Sequence, residues 1–171
     1  MKPEQLALIE QAISALKLRD IMLHESSFKR PAPPPVTTDS IAAKQQTKRQ
    51  VKFVIGTAPA GEDGQPLTLL QVYVELGVRV SGIESDSSPV YFEIEADFLV
   101  EYEIKSELSP DAMKAFADIN SVHNVWPFWR QHVFDVVSRG RLPHLEVPLF
   151  SGAPTKSPRN VQEPRSMTGS M

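Results

Sequence analysis

The chain of 171 residues has no cysteine, so disulfides, thiolate metal ligands and cysteine nucleophiles are all excluded. It also lacks an excess of either charge. Eighteen basic against 21 acidic residues leave a net charge of −3, scattered along the chain, with no basic face for nucleic acid. No run approaches the roughly 18 apolar residues of a membrane span, and no cationic stretch leads into an apolar one near the start. A soluble, cytoplasmic, non-secreted protein is the expectation. Neither a G-x-x-x-x-G-K-[ST] loop nor a G-x-S-x-G elbow is present. His24, His123, His132 and His144 are dispersed, with no pair four residues apart and no Glu at metalloprotease spacing. No catalytic residue, metal or cofactor is therefore expected, and the chain reads as a non-enzyme.

What is present suffices for one core: 41% of residues are apolar, in a length suited to a single domain with tails. The 15 prolines cluster, with Pro31, Pro33, Pro34 and Pro35 in one segment and Pro154, Pro158 and Pro164 near the end, and so mark connections. Three units are expected: a helix over residues 1–15, a domain over 16–150, and a disordered tail over 151–171, rich in Ser, Gly, Pro and Thr.

Leu6, Ile9, Ile13 and Leu16 recur at helical spacing and predict a short amphipathic helix. Leu18, Ile21 and Leu23 then alternate with a one-residue slip around Arg19 and Asp20, the pattern of a strand with a bulge. Phe28 to Lys48 loses periodicity and predicts a long crossover loop. Val51, Phe53 and Ile55 predict a second strand. Val72 to Val80 predict a third and Val90 to Ile104 a fourth, each apolar on one face and polar on the other. Ser109-Pro110-Asp111 is a helix start, with Met113, Phe116 and Ala117 as its stripe. A second helix is predicted from about Val125 to Arg139, with Pro127 in or near its first turn and Gly140 ending it. The fold class is α+β: a four-stranded antiparallel sheet, two C-terminal helices on one face, and a short N-terminal helix.

Asn124 to Phe150 resembles the C-terminal helix and exit segment of the SecB export-chaperone family. Pro127-Phe128-Trp129-Arg130 is similar to the family's helix start and Ser138-Arg139-Gly140 to its helix end, with Pro143, Leu145, Pro148 and Phe150 following in order. Leu18-Arg19-Asp20-Ile21 resembles its first strand. The resemblance implies a homotetramer, a dimer of dimers, that holds unfolded polypeptides in apolar grooves without ATP for protein export and translocation. It implies client contacts at Phe28, Val36, Ile41, Trp126 and Trp129, and an outer sheet face that docks the motor SecA through Asp20, His24 and Glu93. The proline-rich crossover and a tail with Lys156, Arg159 and Arg165 differ from the family's pattern. The alternative within the resemblance is a SecB-like chaperone of a toxin–antitoxin system, whose client is an antitoxin.

Each of these features has a plainer reading. Trp126 and Trp129 lie at helical spacing and read first as core packing. The acids of the fourth strand read first as a solvated face that discourages edge pairing. Ser138 to Arg141 caps a helix C-terminus, the wrong dipole end for an anion. A small-ligand-binding or enzymatic α+β domain, with the crossover as a lid, and a structural adaptor that uses its acidic sheet face for one folded partner are the alternatives outside the chaperone class.

Overall fold

Alternation of large apolar with polar side chains lets a strand bury one face and wet the other. The chain does this twice in succession. The computed structural model describes residues 3–31, 43–59, 64, 66–83 and 88–150. Helix α1 (Pro3–Ala15) runs directly into β1 (Leu16–Lys29). Strands β2 (Ala43–Ala58), β3 (Leu67–Gly82) and β4 (Val90–Ile104) follow, then α2 (Pro110–Phe116), a π-helical turn (Ala117–Ser121) and α3 (Val122–Gly140). The strands form one antiparallel sheet in the order β1-β4-β3-β2, so β1 and β2 are its two edges.

The core lies on one face. Leu70, Val72, Val74, Leu76 and Val78 of β3 and Phe92, Ile94, Phe98, Val100 and Tyr102 of β4 are buried there beneath Met113, Phe116, Val122, Val125, Trp129 and Val133. At 25 cal/mol per Å² of apolar area, such side chains contribute roughly 1.5–3 kcal/mol each. Asn124 Nδ2 donates to the Tyr102 hydroxyl at 3.0 Å, so that polar tip is satisfied.

The strand expectations hold and sharpen. The slip in β1 is a register shift between Leu18 and Asp20, and a second one falls between Leu23 and Glu25. The second strand begins far earlier than Val51: Ala43 to Gln50 pair with Glu75 to Gly82, correcting the expected loop over Phe28 to Lys48 at both ends, since β1 also continues to Lys29. Ladder hydrogen bonds hold Ala43 to Gln50 without an apolar stripe, so periodicity had nothing to report. Val36, Ile41 and the expected tail over 151–171 lie outside the described residues.

Three corrections concern the helices. In α1 the buried stripe is Ile9, Ala12 and Ala15, while Leu6 and Ile13 face solvent, because the small alanines allow closer approach than the larger side chains would. The two expected C-terminal helices are joined without a break: the backbone stays helical through Phe116, Ala117, Ser121 and Val122, with the π turn absorbing the junction. Pro127 therefore lies inside α3, not in its first turn, and the helix loses one backbone bond there.

The end of α3 is a Schellman turn. Leu142 N–H donates to the Val137 carbonyl at 3.0 Å and Arg141 N–H to that of Ser138 at 3.3 Å. The left-handed residue is Arg141 (φ 48°, ψ 47°), one place after the glycine. Gly140 lets the turn pack closely, since a Cβ there would lie 3.2 Å from Leu142 Cγ and 3.4 Å from the tip of the Phe28 ring. An L-residue in this conformation costs on the order of 1 kcal/mol. Arg141→Gly is expected to raise the unfolding free energy by roughly 0.5–1 kcal/mol, read as a higher urea midpoint at unchanged slope.

Candidate functional site

Antiparallel partners share a face, so the core face continues from β4 onto β1: Leu18 is opposite Tyr102, Ile21 opposite Val100, Leu23 opposite Phe98 and Phe28 opposite Ile94. The helices cover that edge only in part: Leu16 and Ile21 pack against the core cluster, and the tip of the Phe28 ring meets the end of α3 at Gly140. Leu18, Leu23 and Phe28 are 45%, 52% and 42% exposed, although their partners on β4 are buried. Phe28 closes the upper end of this strip. Its ring stands beside Gly140, the Arg30 guanidinium lies 5.9 Å from its centroid, and Arg30 Nη2 donates to the Gly140 carbonyl at 2.6 Å.

Helix α3 separates this strip from a second apolar surface on the β2 side. Beyond Arg141 the chain turns back, and Leu142, Leu145, Val147 and Phe150 pack against the core cluster. Trp126 is half-buried, donating from its indole to the Pro148 carbonyl at 2.8 Å with its ring 5.3 Å from that of Phe150. An open cleft of about 960 Å³ remains between this exit segment and α3, lined by Val133, Phe134, Val137, Leu145 and Val147 among others. Phe134 is 66% exposed and Phe128 is exposed too. Trp129, offered alongside Trp126 as a client contact, is only 3% exposed: it belongs to the core and has no surface to offer.

Sequence reasoning missed three residues here. Gln45 and Arg49 occupy core-face positions on β2, opposite Val80 and Leu76, and both meet the exit segment: Gln45 Nε2 donates to the Glu146 carbonyl at 3.2 Å, and Arg49 lies over the Phe150 ring at 5.5 Å. Their shared parity with Val51 and Phe53 was the available signal. Phe134 was missed because it lies off the core stripe of α3.

No family model matches the chain, and no curated protein matches it. Among solved structures, the SecB-like chaperone Rv1957 of Mycobacterium tuberculosis, in complex with a ChAD peptide from the Rv1956 HigA1 antitoxin, superposes with a TM-score of 0.61 at 16% sequence identity, covering 87% of this chain and 99% of that one. The fold is SecB-like.

On this SecB-like frame, Asp20, His24 and Glu93 do share the outer face, away from the helices, but they do not form one patch. Asp20 is opposite Glu101, and Glu93 lies eight residues away along β4, roughly 26 Å at the rise of a strand. Asp20 Oδ1 accepts from Ile21 N–H at 2.8 Å inside the bulge, and Glu93 is ion-paired with Arg79 at 2.6 Å. The His24 ring stands edge-on to Tyr73 at 5.5 Å. Most acids of this face are similarly engaged: Lys48 reaches over Gly77 to Glu95 at 3.1 Å, Lys52 holds Glu75 at 2.8 Å, and Lys105 holds Glu103. These lysines hold the Glu75 and Glu103 carboxyls below the usual range. Among the described residues no three His, Asp or Glu side chains come together as a metal-binding group.

Asp97 is the exception. It stands between Glu25 and Glu75 in one row across β1, β4 and β3, and its Oδ1 is enclosed without a hydrogen-bond partner. Burial, then the Glu75 charge, push its carboxyl up; Glu25 acts the same way, against the opposing pull of His24 and Lys52. Because the folded value lies above the unfolded one, the folded chain takes up this proton first as pH falls. The penalty is thus present at neutral pH and is relieved as pH drops through the raised value towards the ordinary value of about 3.9. Asp97→Asn is expected to stabilise by roughly 0.5–1 kcal/mol at pH 7, with the gain shrinking towards pH 4 in parallel urea titrations.

Proposed function

We propose that this chain is an ATP-independent holdase chaperone that binds non-native polypeptide segments on its uncovered apolar surfaces. The observation that carries the reading is the continuation of the core face onto β1, where Leu18, Leu23 and Phe28 meet solvent on a SecB-like fold. An exposed apolar strip of this kind is an interaction surface by the ordinary logic of soluble proteins. It suits unstructured chains because short apolar contacts repeated along a client add through multivalency. The client class is a dedicated one, of antitoxin type. Two observations favour it over general preprotein export: the similar Mycobacterium tuberculosis structure holds an antitoxin peptide, and Glu93 on the expected motor-docking face is already neutralised by Arg79. The export reading retains support from Asp20 and His24, both exposed on that outer face.

The assembly that goes with this function is a cytoplasmic homotetramer, with β1 as one of the two sheet edges available for pairing. The deciding measurement is light scattering of an unfolded substrate with stoichiometric protein and no ATP. Suppressed aggregation supports the holdase, whereas a small-ligand-binding domain would leave aggregation unchanged. Size exclusion with light scattering reads the assembly in the same preparation, and a lone subunit would remove the shared surface on which long clients depend.

A further inference from the structure

An extended chain lying on a protein without strand pairing must be held by its side chains and by side chains that reach its carbonyls. Residues 143–150 are of that kind. They form no helix or strand, and among the described residues they make no backbone-to-backbone hydrogen bond. Their anchors are spaced as in a bound peptide: Leu145, Val147 and Phe150 turn towards the core, while the alternate carbonyls of Glu146 and Pro148 accept from Gln45 and Trp126. Phe150 contacts both the Trp126 ring and the Arg49 guanidinium. The seat is polar where a core face should be apolar, since Gln45 and Arg49 stand in line with Val51 and Phe53. The exit segment accounts for that exception, because an amide reads a carbonyl and a guanidinium reads a ring face.

The hold is one-sided. The Schellman turn, Gln45 and Trp126 fasten the segment, while on its α3 side it borders the open cleft beside Phe134 and Val137. Pro143, His144, Glu146, Pro148 and Leu149 are exposed.

We propose that residues 142–150 are a resident peptide, seated where a client segment binds and displaced by it, and that they display the chemistry this seat takes. The partner is an extended segment with aliphatic residues at its first and third positions, proline at the fourth and an aromatic ring at the sixth, matching Leu145, Val147, Pro148 and Phe150. This rests on the reading of the protein as a polypeptide binder and adds to it the class of segment and an internal competitor. A short tether holds the resident segment at an effective concentration in the millimolar range. A free peptide therefore meets a seat open only a fraction of the time, and its apparent affinity falls by that fraction.

The test uses a fluorescein-labelled peptide with the sequence of residues 142–150, titrated by anisotropy into the full-length chain and into full-length Val147→Ser/Phe150→Ala. The expected result is at least tenfold tighter binding to the variant, with a scrambled peptide at least tenfold weaker. Equal or weaker binding by a folded variant overturns the proposal, as does a scrambled peptide that binds as well. Should the variant not fold, the wild-type chain decides: saturation with the unlabelled peptide is expected to move the backbone amide resonances of the chain's own Val147 and Phe150, which leave the seat, and unmoved resonances overturn the proposal. Suppression of aggregation is scored separately on the wild type. A chain that suppresses aggregation with no gain in the variant keeps the holdase function and loses the resident peptide, whereas one that neither suppresses aggregation nor binds peptide loses both.

Discussion

Trp129→Ala is expected to lower the unfolding free energy by roughly 3–5 kcal/mol, a fall in melting temperature on the order of 6–20 °C for a chain of this size. The indole is 3% exposed, lies in the core cluster over the sheet, and is stacked with His132 at 6.2 Å. Removing it opens a large cavity between layers whose neighbours, Val125 and Val133 on α3, are fixed by the same packing. Trp126→Ala makes the internal comparison. That side chain is half-buried and gives up one hydrogen bond to Pro148 and a ring contact with Phe150. Its cost is expected to be roughly 1–2 kcal/mol, and it loosens the exit segment more than the core. Thermal melts at fixed protein concentration, needed because assembly contributes to stability, check both. Equal losses would mean that the two tryptophans are not divided between core and surface as described.

The second large effect is functional. Leu18→Lys/Leu23→Lys places two charges on the uncovered strip of β1, at residues already 45% and 52% exposed, so the fold should be retained. With about half of each side chain still exposed, each leucine offers roughly 0.7–1.5 kcal/mol of further apolar contact to whatever covers it. Losing both is expected to weaken client protection at least tenfold, seen as at least tenfold more protein for the same suppression of light scattering. Size exclusion then separates the two uses of the strip. An intact assembly with lost protection assigns it to clients, and an assembly that falls to smaller units assigns it to subunit contact. Undiminished protection would remove β1 from the proposed function. Phe28 is left in place because its ring also abuts the end of α3 at Gly140 and carries Arg30.

His132 adds a pH dependence of the opposite sign to that of Asp97. Its Nε2 is enclosed without a partner, and burial pushes the imidazole down despite the opposing pull of Asp135. A base whose folded value is depressed is protonated first in the unfolded chain, so its contribution is lost as pH falls through the ordinary histidine value of about 6.5. Between neutral and moderately acidic pH the two groups therefore work against each other.

The sequence by itself determined the sheet and its facing. The alternation in β3 and β4 and the slip near Asp20 are local properties of period two, and each strand expresses them whatever lies next to it. It also carried the resemblance over Asn124 to Phe150 that the fold supports. Periodicity could not reach Ala43 to Gln50, where ladder hydrogen bonds rather than apolar burial hold the strand, nor the continuous run from α2 into α3.

What only the tertiary structure decided is coverage. Leu18 and Val72 look alike as strand residues, but one lies at an edge that the helices cover only in part and the other at the centre beneath them. Trp126 and Trp129 are both large apolar residues three apart on one helix, and the exit segment and the sheet divide them. Gln45 and Arg49 acquire their partners from residues about a hundred positions away. A side chain's exposure depends on what folds over it, which is a long-range property that no local pattern encodes.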